Sequence, residues 1–232
     1  PQKTGTPTQY GMGLGEVEFL LFTTGTHFIT MNEDGTANNN LQSPEVARFI
    51  EYYKKVVQSG FCLPTSENTR EAFGEGKVAM ITGHTWYASG YQTLIAENNV
   101  GMAPLPKDPD ADGTYTLIED AGWVLPKGAE NPEGAAAVLN CMRWVYSDEE
   151  VQKQIYEQDI AAGVWSEELQ EMSELNEEVE HTLPALWAAF NVQQFWGEIF
   201  TRSLQGEPWA TIAAEISPQI DFQINQMYEA SV

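Results

Sequence analysis

EAFGEGKVAMITGHTWY, residues 71–87, is the stretch whose reading decides the fold. Phe73 leads into the turn Gly74-Glu75-Gly76, and Lys77 opens a short apolar run, Val78-Ala79-Met80-Ile81-Thr82, closed by Gly83. A run of this length with no polar face predicts a buried strand, and strands covered on both faces belong to parallel sheets. Gly83-His84-Thr85 reads as a tight exit from its carboxyl end, and Trp86-Tyr87 then open a helical stretch. In open α/β sheets ligands lie beyond the carboxyl ends of the strands. The turn therefore delivers two adjacent rings, Trp86 and Tyr87, to the place where a ligand would sit. Two rings buried in the core would satisfy the same pattern.

On either side, strand and helix signals alternate from Phe28 to Tyr146, which predicts an α/β fold. Phe28 to Met31 reads as a strand running into the turn Asn32-Glu33-Asp34-Gly35. Ser43-Pro44-Glu45 and Asn131-Pro132-Glu133 are matching helix starts, each with a capping side chain, Pro at the first helical position and an acid behind it. Val46, Phe49, Ile50, Tyr53, Val56 and Val57 give the first of these helices one apolar face, and Gly60 stops it. Val138, Leu139, Met142, Val145 and Tyr146 do the same for the second. Ser147-Asp148-Glu149-Glu150 reads as a capping box for a third helix. Residues 1–15 are a Gly/Thr/Pro-rich opening, and Glu16 to Phe22 a short helix ending near Gly25. Val100 to Pro106 reads as a strand leaving through prolines. Residues 166–180 are an acidic exposed segment, His181 to Pro184 open the last helical region, and Pro218 should bend or interrupt the final apolar stripe.

The chain has 232 residues and a formal net charge of −23, from 34 acidic and 11 basic residues. Nucleic acid and anionic membrane surfaces both need clustered Lys or Arg, so neither is an expected partner. No apolar run reaches membrane-spanning length, and no signal peptide is present. Three histidines lie far apart without zinc spacing, and no phosphate or nucleophile motif occurs, so no cofactor or metal is implied. Cys62 and Cys141 read as two free, mostly buried thiols, with a disulfide between them as the alternative. Residues 108–119, DPDADGTYTLIE, fit a calcium-loop spacing, but an acidic hairpin tip with an Asp-Gly turn accounts for them better. Glu16 and Glu18 suit the solvated first turn of a helix better than a role as hydroxyl acceptors.

Phe73, Gly76, Lys77, Ala79, Met80, Gly83 and Trp86 match, in order, the pattern F-x-x-G-K-x-A-M followed by G-x-x-W. G-x-x-P-L-P at residues 101–106 and Gly122-Trp123 followed by P-K-G at 126–128 and N-P-E at 131–133 add to it. On these residues the chain resembles the family 1 extracellular solute-binding proteins, the sugar-capturing components of bacterial ABC importers that include maltose-binding protein.

The resemblance implies a periplasmic-binding-protein-like (type II) carboxy-terminal lobe, a mixed sheet flanked by helices. Residues 1–125 and 181–232 would form that lobe. Residues 126–180 would be a returning segment that packs on an amino-terminal lobe preceding Pro1. It further implies a non-catalytic, monomeric protein that captures a carbohydrate, an oligosaccharide in particular, and hands it to membrane permease subunits. Its place would be extracellular or periplasmic, anchored as a lipoprotein. Trp86 and Trp123 would stack on sugar rings, with Trp187 at the cleft border. Tyr87, Gly83 and Gly122 would line the ligand, and Glu16, Glu119 and Asp120 would accept hydroxyl hydrogen bonds. The competing expectation is a carbohydrate-active enzyme domain that uses a carboxylate pair such as Glu119 and Asp120.

Overall fold

The computed structural model describes residues 9–63, 68–95, 100–118, 123, 125–187 and 189–229. They divide into two compact units. The first draws on Pro1–Gly83, Pro104–Glu119 and Glu177–Val232, the second on His84–Ala103 and Asp120–Asn176. The boundary differs from the one expected above in that residues 84–103 cluster with the later segment.

In the first unit, β1 (Tyr10–Gly13) pairs in parallel with β4 (Val78–Ile81), with Tyr10 opposite Val78 and Gly13 opposite Ile81. The parallel pairing of the apolar run is as expected, but its burial on both faces is not. Val78 joins Leu63 and Ala72 in a small apolar cluster with Tyr10, Phe73 and Ile81 against it, whereas Ala79 is exposed and Met80 is 52% exposed. Apolarity marks a strand that could be covered; packing decides how far along the strand cover extends. β1 itself lies in the stretch read as an irregular opening. Its glycines hid it, because they carry no pattern, yet they are what lets neighbours close in. A Cβ on Gly11 would fall inside the Phe61 ring. Phe61 to Leu63 run along the other edge of β1, with Gly11 N donating to Phe61 O at 2.9 Å and Leu63 N to Met12 O at 2.8 Å.

The main core of this unit gathers around α1 (Phe19–Phe22), four residues that are all buried. β2 (Ile29–Met31) and β3 (Ala37–Asn39) form an antiparallel hairpin through a turn in which Gly35 takes φ +81°. α2 (Pro44–Gln58) starts where expected: Ser43 Oγ accepts from Val46 N at 3.2 Å, and Pro44 sits at the first helical position, where its missing N–H costs nothing. Val46, Phe49, Ile50 and Tyr53 are its buried face, and Tyr53 meets Phe200 of α8 (Trp196–Leu204) with ring centroids 4.9 Å apart. α9 (Trp209–Glu229) buries Ile212, Ala213, Ile216, Ile220 and Ile224. It runs uninterrupted through Pro218, whose exposed position spares the core while the apolar stripe on either side holds the helix together.

β5 (Tyr115–Ile118) pairs in parallel with β6 (His181–Pro184), Tyr115 opposite His181 and Ile118 opposite Pro184. Two expectations change here. His181 to Pro184 are a strand rather than the start of a helix, and the Asp-Gly segment before β5 is not a hairpin tip, because the partner strand is distant in sequence. Pro184 fits as the last strand residue, where the ladder resumes with Ala185 N donating to Ile118 O at 2.9 Å. Val100 to Pro106 form no strand; Pro104 and Pro106 have no N–H to give to a ladder.

The second unit is helical among the described residues: α3 (Thr69–Gly74) ends before it, in the first unit, and α4 (Tyr87–Leu94), α5 (Pro132–Ser147), α6 (Glu149–Ala161) and α7 (Glu167–Glu177) make it up. Asn131 Oδ1 caps α5 through Gly134 N at 2.8 Å. Asp148, not Ser147, caps α6, accepting from Glu150 N and Val151 N at 3.1 Å each. The acidic α7 still anchors itself, with Leu169 fully buried. α5 has no buried residue; Val138, Trp144 and Tyr146 of its surface are exposed, and so is Cys141. Both cysteines are free, but only Cys62 is buried, because the α5 face expected to be covered is open.

His27 is buried in the main core, 1% exposed and packed against Phe22 at 4.5 Å and Trp187 at 5.2 Å. Neither ring nitrogen has a hydrogen-bond partner among the described residues, and burial pushes its pKa down to about 3. The folded state therefore takes up fewer protons than the unfolded chain, whose His titrates near 6.5. This contribution to stability is complete above pH 6.5 and is lost as pH falls toward 3. His27→Phe is expected to gain about 2 kcal/mol on the wild type between pH 7 and pH 5. Urea unfolding of both proteins at the two pH values measures it.

Candidate functional site

β1 and β4 run parallel, so their carboxyl ends meet at one edge of the first unit. Past β1 the chain reaches Glu16, and past β4 it reaches Thr82 and Gly83. Glu16 N donates to Thr82 Oγ1 at 3.3 Å, which ties the two exits together. The Glu16 carboxylate accepts from the Arg70 guanidinium, brought there by α3, whose cap Asn68 accepts from Arg70 N and Glu71 N. Glu18, two residues on, is 7% exposed. Burial, chiefly, raises its pKa to about 7; the adjacent Glu16 carboxylate adds to the effect and is hydrogen-bonded by it. The expected solvated acids are thus a partly buried carboxyl pair braced by one Arg. Arg70 has no marker in the sequence beyond its place next to a capping Asn.

The second unit holds the aromatic part. Trp86 is 66% exposed at the start of α4. Tyr87 stands edge-on to it at 4.2 Å between centroids, and His84 lies parallel to it at 5.7 Å. Tyr87 N donates to His84 O at 3.0 Å and Ser89 Oγ to Trp86 O at 3.1 Å, so backbone bonds fix the turn that carries the rings. A recess of about 310 Å³ is lined by Trp86, Tyr87, Ser89, Gly90, Tyr91 and Leu94. Tyr91 and Leu94 were not singled out in the sequence, although their helical spacing from Tyr87 and Gly90 was visible there. Trp123 belongs to the same unit and is 73% exposed, outside any strand.

Trp187 lies in the core of the first unit rather than at a border: it is 5% exposed and packs on Phe19, Phe22, His27 and Trp196. Glu119, Asp120 and Gly122 lie outside the described residues. Of the calcium-spaced acids, Asp108 and Asp110 face Arg48 at 3.4 and 3.6 Å, and Asp112 accepts from Tyr115 Oη at 2.6 Å. Among the described residues no group of three or more His, Cys, Asp or Glu could hold a metal ion, and no helix is long and apolar enough to cross a membrane.

The fold is that of the type II periplasmic-binding-protein-like proteins. The chain belongs to the bacterial extracellular solute-binding protein family, which residues 3–181 match. A maltodextrin-binding protein of Bacillus subtilis, MdxE, is 30% identical over 100 residues, covering 41% of this chain and 23% of that protein. The maltose/maltodextrin-binding domain MalE from Bdellovibrio bacteriovorus, solved with maltotriose, superposes with a TM-score of 0.65 at 16% identity over 98% of this chain and 62% of that one. An ABC substrate-binding protein from Listeria monocytogenes in complex with cycloalternan gives 0.64 at 12% identity over 94% and 59%. The chain therefore spans about six tenths of the length of these solved structures and less than a quarter of the Bacillus protein.

Glu18 supplies a test of the carboxyl pair. Its folded pKa lies above the unfolded value of 4.5, so its favourable contribution is complete below pH 4.5 and is lost as pH rises through 7. Glu18→Gln is expected to be more stable than the wild type at pH 8 by a few kcal/mol, about 3 at most, with the advantage fading toward pH 4.5. Thermal unfolding across that range reads the slope. An advantage independent of pH would mean that Glu18 is not held protonated by its surroundings.

Proposed function

We propose that this chain is part of the solute-capturing component of a bacterial ABC importer and that its solute is a carbohydrate, an oligosaccharide in particular. The observation that carries the reading is Trp86, an exposed indole braced by Tyr87 and His84 beside a recess. A sugar ring has C–H faces and hydroxyl edges, so its site needs an aromatic platform and a few polar groups. Trp86 and Trp123 are the platforms in this reading, with Tyr87 beside them. Glu16, Glu119 and Asp120 accept hydroxyl hydrogen bonds, and Gly83 and Gly122 let the backbone approach the ligand. Trp187, packed in the core, acts by holding α1 and hence the segment that carries Glu16. The sugar ligands in the solved relatives' names support the choice of solute.

Binding is non-catalytic, the protein is monomeric, and it works outside the cytoplasm as a lipoprotein that delivers ligand to permease subunits. Residues 1–125 and 181–232 correspond in this proposal to a carboxy-terminal lobe. The open α5 surface supports assigning residues 126–180 to a segment that packs on a further lobe. Ligand that touches both lobes would favour a closed arrangement only by its extra affinity for that arrangement.

Calorimetric titration of the 232-residue chain with maltotriose tests this. Micromolar binding corresponds to about 8 kcal/mol in total, and a chain offering roughly half of a two-lobed site should bind near millimolar. Trp86→Ala is expected to abolish the measurable heat while leaving unfolding nearly unchanged, since the ring is largely exposed. Unaltered binding in Trp86→Ala and Trp123→Ala would remove both platforms from the site. Release of nitrophenol from aryl glycosides would favour the enzyme reading instead.

A further inference from the structure

We propose that the concavity between β3 and α9 in the first unit is a second binding site, for a neutral polyhydroxylated ligand such as the end of a saccharide. The space is about 570 Å³, room for a small sugar. Its wall on one side is Asn38, Asn39 and Gln42, and on the other Ser217, Asp221 and Asn225, over a floor of Ala37 and Ile224. This is a different part of the fold from Glu16 and Thr82 and from the Trp86 recess, so it stands independently of the reading above.

The lining is part scaffold and part unused capacity. Asn39 Nδ2 donates to Ser217 O at 3.0 Å and to Asp221 Oδ1 at 2.8 Å, while its Oδ1 accepts from Leu41 N at 3.1 Å. Gln42 Nε2 reaches Ser217 Oγ at 3.5 Å. These bonds hold the hairpin against α9 and fix the Asp221 carboxylate. By contrast, the side-chain amides of Asn38 and Asn225 make no hydrogen bond among the described residues, and neither does Asp221 Oδ2. The available groups are therefore the amides of Asn38 and Asn225, each offering a donor and an acceptor, together with the Gln42 amide oxygen and one Asp221 carboxylate oxygen, which only accept.

That set selects the ligand. A hydroxyl both donates and accepts, so vicinal hydroxyls can use an amide at both ends and a carboxylate at one. An anion would meet Asp221 with no Lys or Arg in the lining to offset it, and a cation would find a single carboxylate. The Ile224 and Ala37 floor gives a short apolar strip for C–H groups, and with no aromatic ring in the lining, the contact rests on hydroxyls rather than on stacking.

The test is maltose titrated into the full 232-residue chain labelled with 15N, observing side-chain amide resonances. Saturable shifts at the amides of Asn38 and Asn225 are expected, with millimolar affinity. They should persist in Trp86→Ala and weaken roughly threefold to tenfold in Asn225→Leu, the range for one lost hydrogen bond. Both changes are at exposed positions; backbone amide spectra that stay superimposable confirm that each variant is folded. Asp221→Asn, which keeps an acceptor toward Asn39, should retain part of the affinity. No saturable shift at these amides, shifts that disappear in Trp86→Ala, or an equal response to sodium sulfate would each overturn the site.

Discussion

The parallel pairing of β1 with β4 is the constraint on which the first unit depends. Two antiparallel strands can be joined by a two-residue turn, but parallel strands require the chain to travel back the full length of the sheet before pairing. Residues 14–77 make that journey, and they hold α1, the β2–β3 hairpin, α2 and α3. The main core forms largely within this crossover and against α8 and α9, which return to it from the far end of the sequence. Because both strands point the same way, their carboxyl ends also coincide. Glu16, Thr82 and Gly83 therefore become neighbours although more than sixty residues separate Glu16 from Thr82. The meeting of Glu16 with Thr82 is a consequence of topology before it is a consequence of chemistry.

Two titratable groups in the same unit oppose one another. His27 sits among Phe and Trp rings with neither of its nitrogens hydrogen-bonded among the described residues, and burial keeps it neutral. Glu18 is buried beside another carboxylate, so it holds its proton far above the usual range. Acid destabilises the fold through the one and alkali through the other, and across the middle of the pH range their effects on stability run in opposite directions. The two groups differ in their surroundings: His27 is enclosed by apolar rings, while Glu18 lies two residues from a braced, partly exposed acid.

Much of this was legible in the sequence, and the failures have physical reasons. Ser43-Pro44-Glu45 and Asn131-Pro132-Glu133 located their helices because capping is local: the side chain and the N–H it meets are three residues apart. The strand Val78–Ile81 and its parallel sense were visible in its apolar run. β1 was not, since Gly11 and Gly13 give no periodicity and the side chains that crowd them, Phe61 at Gly11 and Thr69 at Gly13, come from far along the chain. His181–Pro184 was misread for a related reason, since its partner Tyr115–Ile118 is distant and a Pro after a short polar run resembles a helix start. In the candidate site, Trp86 and Tyr87 announced themselves through the strand-turn-helix pattern. Arg70 and the Asn38–Asn225 lining did not, because long-range polar contacts have no period.

The tryptophans show what separates a ring that packs from a ring that stays exposed. Trp187 and Trp196 lie well inside the last segment of the first unit, where α1, α8 and the hairpin offer surfaces on several sides, and they meet at 5.4 Å. Trp86 and Trp123 lie within four residues of points where the chain passes from one unit to the other, after Gly83 and after Glu119. A side chain at such a crossing has few neighbours from its own unit to bury it, so its exposure follows from its position rather than from its chemistry. Leaving an indole in water forfeits roughly 25 cal/mol for each Å² that could have been buried. That cost is offset only by packing elsewhere or by something that covers the ring. At Trp86 the edge of Tyr87 and the face of His84 cover part of it and hold its orientation, leaving most of the indole open beside a recess. A ring oriented in advance loses little freedom when a ligand lies on it, so in the proposed reading the exposure that costs stability in the free protein favours binding.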